Sequence, residues 1–255
     1  MPFYENKRRR FLKTAITGGL VTATGPGLLA MPVSSHNNAS KIKFNKGDVV
    51  LFQGDSITDA GRKRDNLNVN NGQAFGSGYA MLAAAYLLNK FSDKELQLYN
   101  RGISGNKVYQ LAERWDEDCI KLKPSVLSIL IGVNDFWHKL NGKYAGTVDV
   151  YRNDFKALLE RTKQQLPDVK LIIGEPFAVP GVKAVDDKWY PEFPEYQKAA
   201  REMADSFGAV WIPYQHVFDK AQKKAPGKYW TDDGVHPNIA GIQLMATAWL
   251  EAVGV

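Results

Sequence analysis

Ser56, Asp233 and His236 are the residues of this sequence whose types and spacing fit covalent hydrolysis. A serine hydroxyl is a weak nucleophile at neutral pH unless a base takes its proton. Imidazole is such a base, and a carboxylate beside one ring nitrogen fixes the tautomer that leaves the other free to accept. Asp233-Gly-Val-His236 allows that pairing within one turn of chain. Ser56 stands in Gly54-Asp55-Ser56-Ile57, directly after the apolar run Val49-Val-Leu-Phe52. The run reads as a buried strand, and Gly54 as a close approach or an unusual φ where it stops. Ligands bind at the C-terminal edge of open parallel sheets, where Ser56 would lie. Asp55 and Ser56 are also good caps for a following helix. A lone Asp-x-x-His pair is common in loops, so each feature is weak alone and the combination carries the argument.

The elements that must position these residues alternate. Strands are expected over 49–52, 96–100, 126–133, 169–173 and 209–212. Helices are expected over 79–91, 147–165, 194–207, 215–224 and 238–253, with a further one capped by Asn106 and running to 121. Residues 59–78 read as a long polar loop, and 177–194 as an irregular Pro- and aromatic-rich insertion. Five strand–helix alternations argue for a parallel sheet covered by helices on both faces. Asn134 follows the third strand and Gly105 the second, so both are expected on the same sheet edge as Ser56.

The 255 residues fit one large domain or two small ones, and no composition shift after residue 41 marks a second. Cys119 is the single cysteine, which excludes an internal disulfide and a multi-cysteine zinc site. It falls on the packed face of its helix. The net charge of +6 is concentrated near the start: residues 1–39 carry five basic side chains against Glu5, a net of +4, leaving +2 for the remainder. That balance gives little support to a nucleic-acid partner. Arg8-Arg9-Arg10-Phe11-Leu12-Lys13, followed by a weakly apolar Thr- and Gly-rich run to Ala30, resembles a twin-arginine export signal. Residues 1–40 are therefore expected to be signal and linker, and 41–255 the catalytic domain. The expected location is periplasmic or extracellular. Pro26 and the glycines make the run a poor spanning helix, so no stable membrane anchor is expected.

Four motifs resemble the blocks of the GDSL-type, or SGNH, hydrolases. Gly54-Asp55-Ser56-Ile57 is similar to the first, with Ile57 where the family name has Leu. Asn100-x-Gly-x-Ser-Gly105 is similar to the second, Gly132-x-Asn134-Asp135 to the third, and Asp233-x-x-His236-Pro237 to the last. The resemblance implies a three-layer α/β/α sandwich with a five-stranded parallel, flavodoxin-like sheet. It implies Ser56 as nucleophile, His236 as base and Asp233 as the group orienting it. It also implies an oxyanion hole from the Ser56 and Gly105 backbone N–H groups and the Asn134 amide. No ligand cluster in the sequence suggests a metal, and no cofactor is expected. The Gly-x-Ser-x-Gly elbow of the α/β-hydrolases is not found.

Further residues are candidates for the substrate pocket: Asp55, Trp137, His138, Glu175 and Trp230, with His216 less favoured. Asp232 competes with Asp233 on position alone. Arg62 and Arg64 could meet an acidic group such as a uronate, although a polar loop first suggests solvated side chains. Trp137, Trp189, Tyr190 and Trp230 suit stacking on sugar rings. The expected substrate is therefore a small-molecule or oligosaccharide ester, with deacetylation of a carbohydrate favoured. A lipid or thioester acylhydrolase is the enzymatic alternative, and a non-catalytic carbohydrate-binding protein is the alternative of another class. The oligomeric state is not legible.

Overall fold

The computed structural model describes residues 42–255, so the export-signal reading of the N-terminal segment lies outside the described residues. In chain order the elements begin with β1 (Val49–Gly54), the single turn α1 (Ser56–Asp59), the short α2 (Gly72–Phe75) and α3 (Tyr79–Lys90). Next come β2 (Gln97–Asn100), α4 (Val108–Glu113), α5 (Trp115–Asp118), β3 (Val126–Leu130), α6 (Val133–Leu140) and α7 (Val148–Gln165). The chain ends with β4 (Lys170–Gly174), α8 (Phe193–Ser206), β5 (Val210–Ile212), α9 (Tyr214–Gln222) and α10 (Ile239–Val253).

The strands form one parallel sheet in the order β2-β1-β3-β4-β5. The order reverses between β1 and β3, and in such sheets the crevice at the reversal is the binding place. The crossovers put α3 and α10 together on one face and α4, α7 and α8 together on the other. On the first face, Phe52 of β1 packs on Trp249 (centroids 5.1 Å apart) and Tyr79 (6.1 Å). The Trp249 indole donates to Ser128 Oγ at 3.0 Å. On the second face, Tyr151, Phe155, Leu158, Leu159 and Thr162 line one stripe of α7 at helical spacing. The Trp115 indole, which the low-dielectric core would otherwise leave unpaired, donates to Thr162 Oγ1 at 3.0 Å. Cys119 is buried here.

Three expectations need correction. Asn106 does not cap a helix running to 121: Lys107 is the cap, and the helix breaks at Arg114 between α4 and α5. The Arg114 guanidinium turns inward to Asn106 Oδ1, Arg101 O and Asp118 Oδ2, and Asn106 is engaged by that bond. The third strand stops at Leu130, because Gly132 at φ 130° turns the chain into α6. The 59–78 segment is no open loop: Asn71 caps α2, and Phe75 is buried against Phe52. No helix among the described residues is long and apolar enough to cross a membrane.

Candidate active site

β1 delivers Ser56 to the C-terminal edge of the sheet. A Cβ at Gly54 would lie 2.3 Å from Leu130 O and 2.5 Å from Thr58 Oγ1, so only glycine lets the strand end this close to β3. Asp55 Oδ1 then accepts from Ile57 N at 3.0 Å, capping α1. Asp55, a candidate for the substrate pocket, is fully buried beneath Ser56. Burial pushes its carboxyl up to about 7.

His236 arrives from the loop before α10. Ser56 Oγ lies 2.8 Å from His236 Nε2, and His236 Nδ1 lies 2.8 Å from Asp233 Oδ2. With its proton on Nδ1 the ring donates to the carboxylate and accepts from the serine hydroxyl. Asp233 Oδ1 accepts from the backbone N–H of Val235 (2.9 Å) and His236 (2.8 Å), which locks the pair into one turn. The hydrogen bond to Asp233 raises His236 above the ordinary histidine value, against burial, which lowers it. Burial also acts to raise Asp233, but the His236 ring and the two backbone donors outweigh it and hold the carboxyl at about 2. Asp232, its rival by position, is exposed, and its N–H only closes the turn onto His236 O.

The insertion 177–194 braces this turn. Ala184 N donates to Asp233 O at 3.0 Å, and Val179 N to Gly234 O at 2.7 Å. Gly234 sits at φ 96°, and a Cβ there would meet Val182 O at 2.8 Å and Val179 O at 2.9 Å.

Facing Ser56, the turn after β2 holds Gly105 at φ 82°, a left-handed conformation that favours glycine. The Ser56 and Gly105 N–H groups donate to no other described residue. Asn134, in the first turn of α6, is 4 % exposed, and its Nδ2 donates to Asn106 O at a long 3.3 Å. One helical turn on from Asn134, Trp137 places its ring 6.2 Å from that of His236. The Cε1 atom of His138 lies 4.0 Å from where a Gly105 Cβ would be. Lys107 Nζ lies 3.2 Å from His138 Nδ1, and burial followed by the charge of Lys107 pushes His138 below its usual value.

The structure thus brings Ser56, Asp233, His236, Gly105, Asn134, Trp137 and His138 together. It does not bring Glu175, Trp230 or His216 to them. Glu175 Oε2 accepts from Gln215 N, bracing the start of α9, and burial lifts this carboxyl to about 7. Trp230 bonds through its indole to Ala225 O and lines, with His216, a separate groove between α9 and α10. Trp189, expected at a sugar-stacking edge, is fully buried among Phe136, Trp137 and Phe193. Ser56 and His236 open instead onto a cleft of ≈ 840 Å³ that also contains Asp59, Arg62, Arg64, Asp65 and Ser104. Sequence reasoning missed Asp59 and Ser104, although Ser104 lies inside the second motif. No group of three or more His, Cys, Asp or Glu among the described residues is placed to hold a metal.

This arrangement can pass a proton from hydroxyl to imidazole, which suits acyl transfer. The sequence model of the GDSL-like lipase/acylhydrolase family matches residues 52–244. The chain belongs to that family. This GDSL-like acylhydrolase is a carboxylic ester hydrolase, and its parallel sheet is the one found in its relatives. It is 32% identical to an acetylxylan esterase of Geobacillus stearothermophilus, over 84% of this chain and 97% of the relative. A crystal structure of a GDSL-like lipase from Parabacteroides merdae is 51% identical with a TM-score of 0.82, covering 84% of this chain and 99% of that one. An acetyl-xylooligosaccharide esterase from Geobacillus is 30% identical with a TM-score of 0.75, covering 84% and 97%.

Proposed function

We propose that this GDSL-like acylhydrolase removes short acyl groups, acetyl above all, from a carbohydrate through an acyl-serine intermediate. Ser56 Oγ attacks the ester carbonyl as His236 Nε2 takes its proton. The carbonyl oxygen, now negative, is held by the N–H groups of Ser56 and Gly105 and by Asn134 Nδ2. The C–O bond to the sugar then breaks, and His236 returns the proton to the departing alkoxide. Water repeats the sequence on the acyl-serine, releasing acetate and restoring Ser56. Asp233 stabilises the imidazolium in both halves. The observation that carries this reading is the unbroken relay from Ser56 Oγ through His236 to Asp233, at 2.8 Å on each side.

Three features support a sugar ester. The cleft beside Ser56 is lined by polar and charged side chains, which suit a hydroxylated alcohol better than an acyl chain. Trp137 offers an aromatic face beside His236. Relatives named acetylxylan and acetyl-xylooligosaccharide esterases share most of the fold, and catalytic mutants of the former replace a serine, an aspartate and a histidine, the last two spaced as Asp233 and His236 are. Arg8-Arg9-Arg10 and the following run support export of the folded enzyme to meet such a polymer.

The test compares acetate release from acetylated xylo-oligosaccharides with hydrolysis of long-chain p-nitrophenyl esters, alongside fluorophosphonate labelling. Efficient deacetylation, with labelling lost in Ser56→Ala, is expected. A preference for long acyl chains points to a lipid acylhydrolase instead, and labelling that persists in Ser56→Ala ends the serine mechanism.

A further inference from the structure

Four guanidinium groups gather beneath and beside the mouth of the Ser56 cleft with only two carboxylates among them. Arg64 pairs with Asp59, while Arg101 and Arg114 share Asp118. Arg62 has no carboxylate of its own, yet feels the charges of Asp59, Arg101, Asp118 and Arg114. Asp65 on the rim is the one further acid lining the cleft, and Arg62 is left as the guanidinium without a carboxylate partner.

Arg62 is 7 % exposed, contrary to the reading of a solvated loop residue. Its Nε donates to Gly102 O at 2.8 Å, and its Nη1 is buried with no partner. Nη2 also lacks a partner among the described residues and, unlike Nη1, is reached by solvent. A guanidinium stays charged when buried, and leaving its N–H groups unpaired is costly. Arg64 lines the same cleft, its side chain 50% exposed, with Nε and Nη2 on Asp59 and Nη1 unengaged. Ser104 N fixes the carboxylate that holds Arg64, donating to Asp59 Oδ2 at 2.8 Å. Two guanidinium groups with free donors therefore border one open space shared with Ser56 and His236.

We propose that this side of the cleft is an anion subsite in which Arg62 and Arg64 hold a carboxylate of the alcohol part of the substrate. The preferred substrate is then an acyl ester on an acidic saccharide, with a uronate close to the acylated sugar. A carboxylate accepts from a guanidinium fork with charge-assisted bonds, and a neutral sugar hydroxyl does so more weakly. The inference rests on the carbohydrate reading above and narrows it to a substrate class. The carboxylate can belong to a glucuronate branch on a neutral backbone or to a galacturonate backbone.

The experiment measures kcat/KM for acetate release from acetylated neutral xylo-oligosaccharides, from acetylated xylo-oligosaccharides bearing glucuronate, and from acetylated oligogalacturonides. Hydrolysis of p-nitrophenyl acetate serves to normalise every protein. The wild type should prefer one acidic arm over the neutral arm by about tenfold, the size of one charge-assisted hydrogen bond. The preferred arm identifies the source of the carboxylate. In Arg64→Gln, which alters a half-exposed side chain, the acidic-to-neutral ratio should fall toward one, mainly through KM. Arg62→Gln should do the same where it folds, and Arg64→Gln decides alone where it does not. The wild-type preference should also weaken as NaCl is raised from about 0.05 to about 0.5 M. Equal rates on acidic and neutral arms, or a preference that survives in Arg64→Gln, overturn the subsite while leaving the carbohydrate reading intact. Turnover of p-nitrophenyl acetate with no acetate released from any saccharide overturns the carbohydrate reading and the subsite with it.

Discussion

Asn134→Ala separates catalysis from folding more cleanly than any other substitution in the site. In the resting enzyme Asn134 Nδ2 makes one hydrogen bond, to Asn106 O, at 3.3 Å. Losing so long a bond costs at most ~1 kcal/mol of stability. In a domain of this size that lowers Tm by about 2–4 °C. In the proposed mechanism the same amide faces a full negative charge during reaction, in a buried place. Removing one such donor typically costs ~3–4 kcal/mol, or about 10²–10³ in kcat. The ground-state carbonyl draws little on that donor, so KM should change by less than about threefold. The assay is steady-state hydrolysis of p-nitrophenyl acetate beside a thermal melt. The reasoning is refuted if kcat stays within about threefold of wild type, or if KM absorbs the loss. Asn134→Asp, which sets an acceptor against the developing oxyanion, should be worse than Asn134→Ala.

Other expectations follow from the same geometry. Only the neutral His236 ring can accept the Ser56 proton, so kcat/KM should fall on the acid side, with its midpoint above the ordinary histidine value because Asp233 raises the ring. Asp233→Asn should shift that midpoint to lower pH and lower the plateau by about 10³–10⁴, and a pH–rate profile with an unmoved midpoint would contradict it. Gly234→Ala forces a Cβ against two backbone oxygens within 2.9 Å, so kcat should drop at least ~10-fold along with Tm, whereas wild-type activity would show that the turn is not braced. Asp55 and Asp135 titrate near 3.8 when unfolded and at about 7 when folded, because burial disfavours their charge. The native state therefore holds the extra protons between those values, and stability should decline as pH rises from about 4 to about 7. His236, raised in the native state, acts with the same sign as pH passes its folded value. Urea melts across that range should show the decline, made shallower by Asp55→Asn or Asp135→Asn, and stability rising with pH there would refute the assignment.

The parts of the site legible in sequence are those fixed by chemistry and by strand ends. Ser56 follows an unbroken apolar run, and Asp233 and His236 need only one turn of chain to meet. What was not legible depends on where a side chain turns once its segment is placed. Glu175 and Trp230 sit on the expected edge in sequence, but their side chains engage Gln215 N and Ala225 O, away from Ser56. Trp189 looks like a binding aromatic until Phe136, Trp137 and Phe193 close around it. Arg62 belongs to a polar stretch, and only the backbone of the second motif, through Gly102 O, draws it inside. The break between α4 and α5 has the same origin, since the acceptors that turn Arg114 inward include Arg101 O, from the connection after β2, besides Asn106 and Asp118.

α6 carries both Asn134, the amide proposed to hold the oxyanion, and, one turn on, Trp137 and His138, which lie beside His236 and Gly105. Speed and selectivity are thereby geared to one rigid rod. Any insertion or packing change that tilts this rod to admit a bulkier alcohol also swings the amide away from the oxygen it must grip. New specificities on this scaffold are therefore expected from side-chain exchange at Trp137 or His138 or on the 61–65 bank, and a reshaped 141–147 connection is expected to cost turnover.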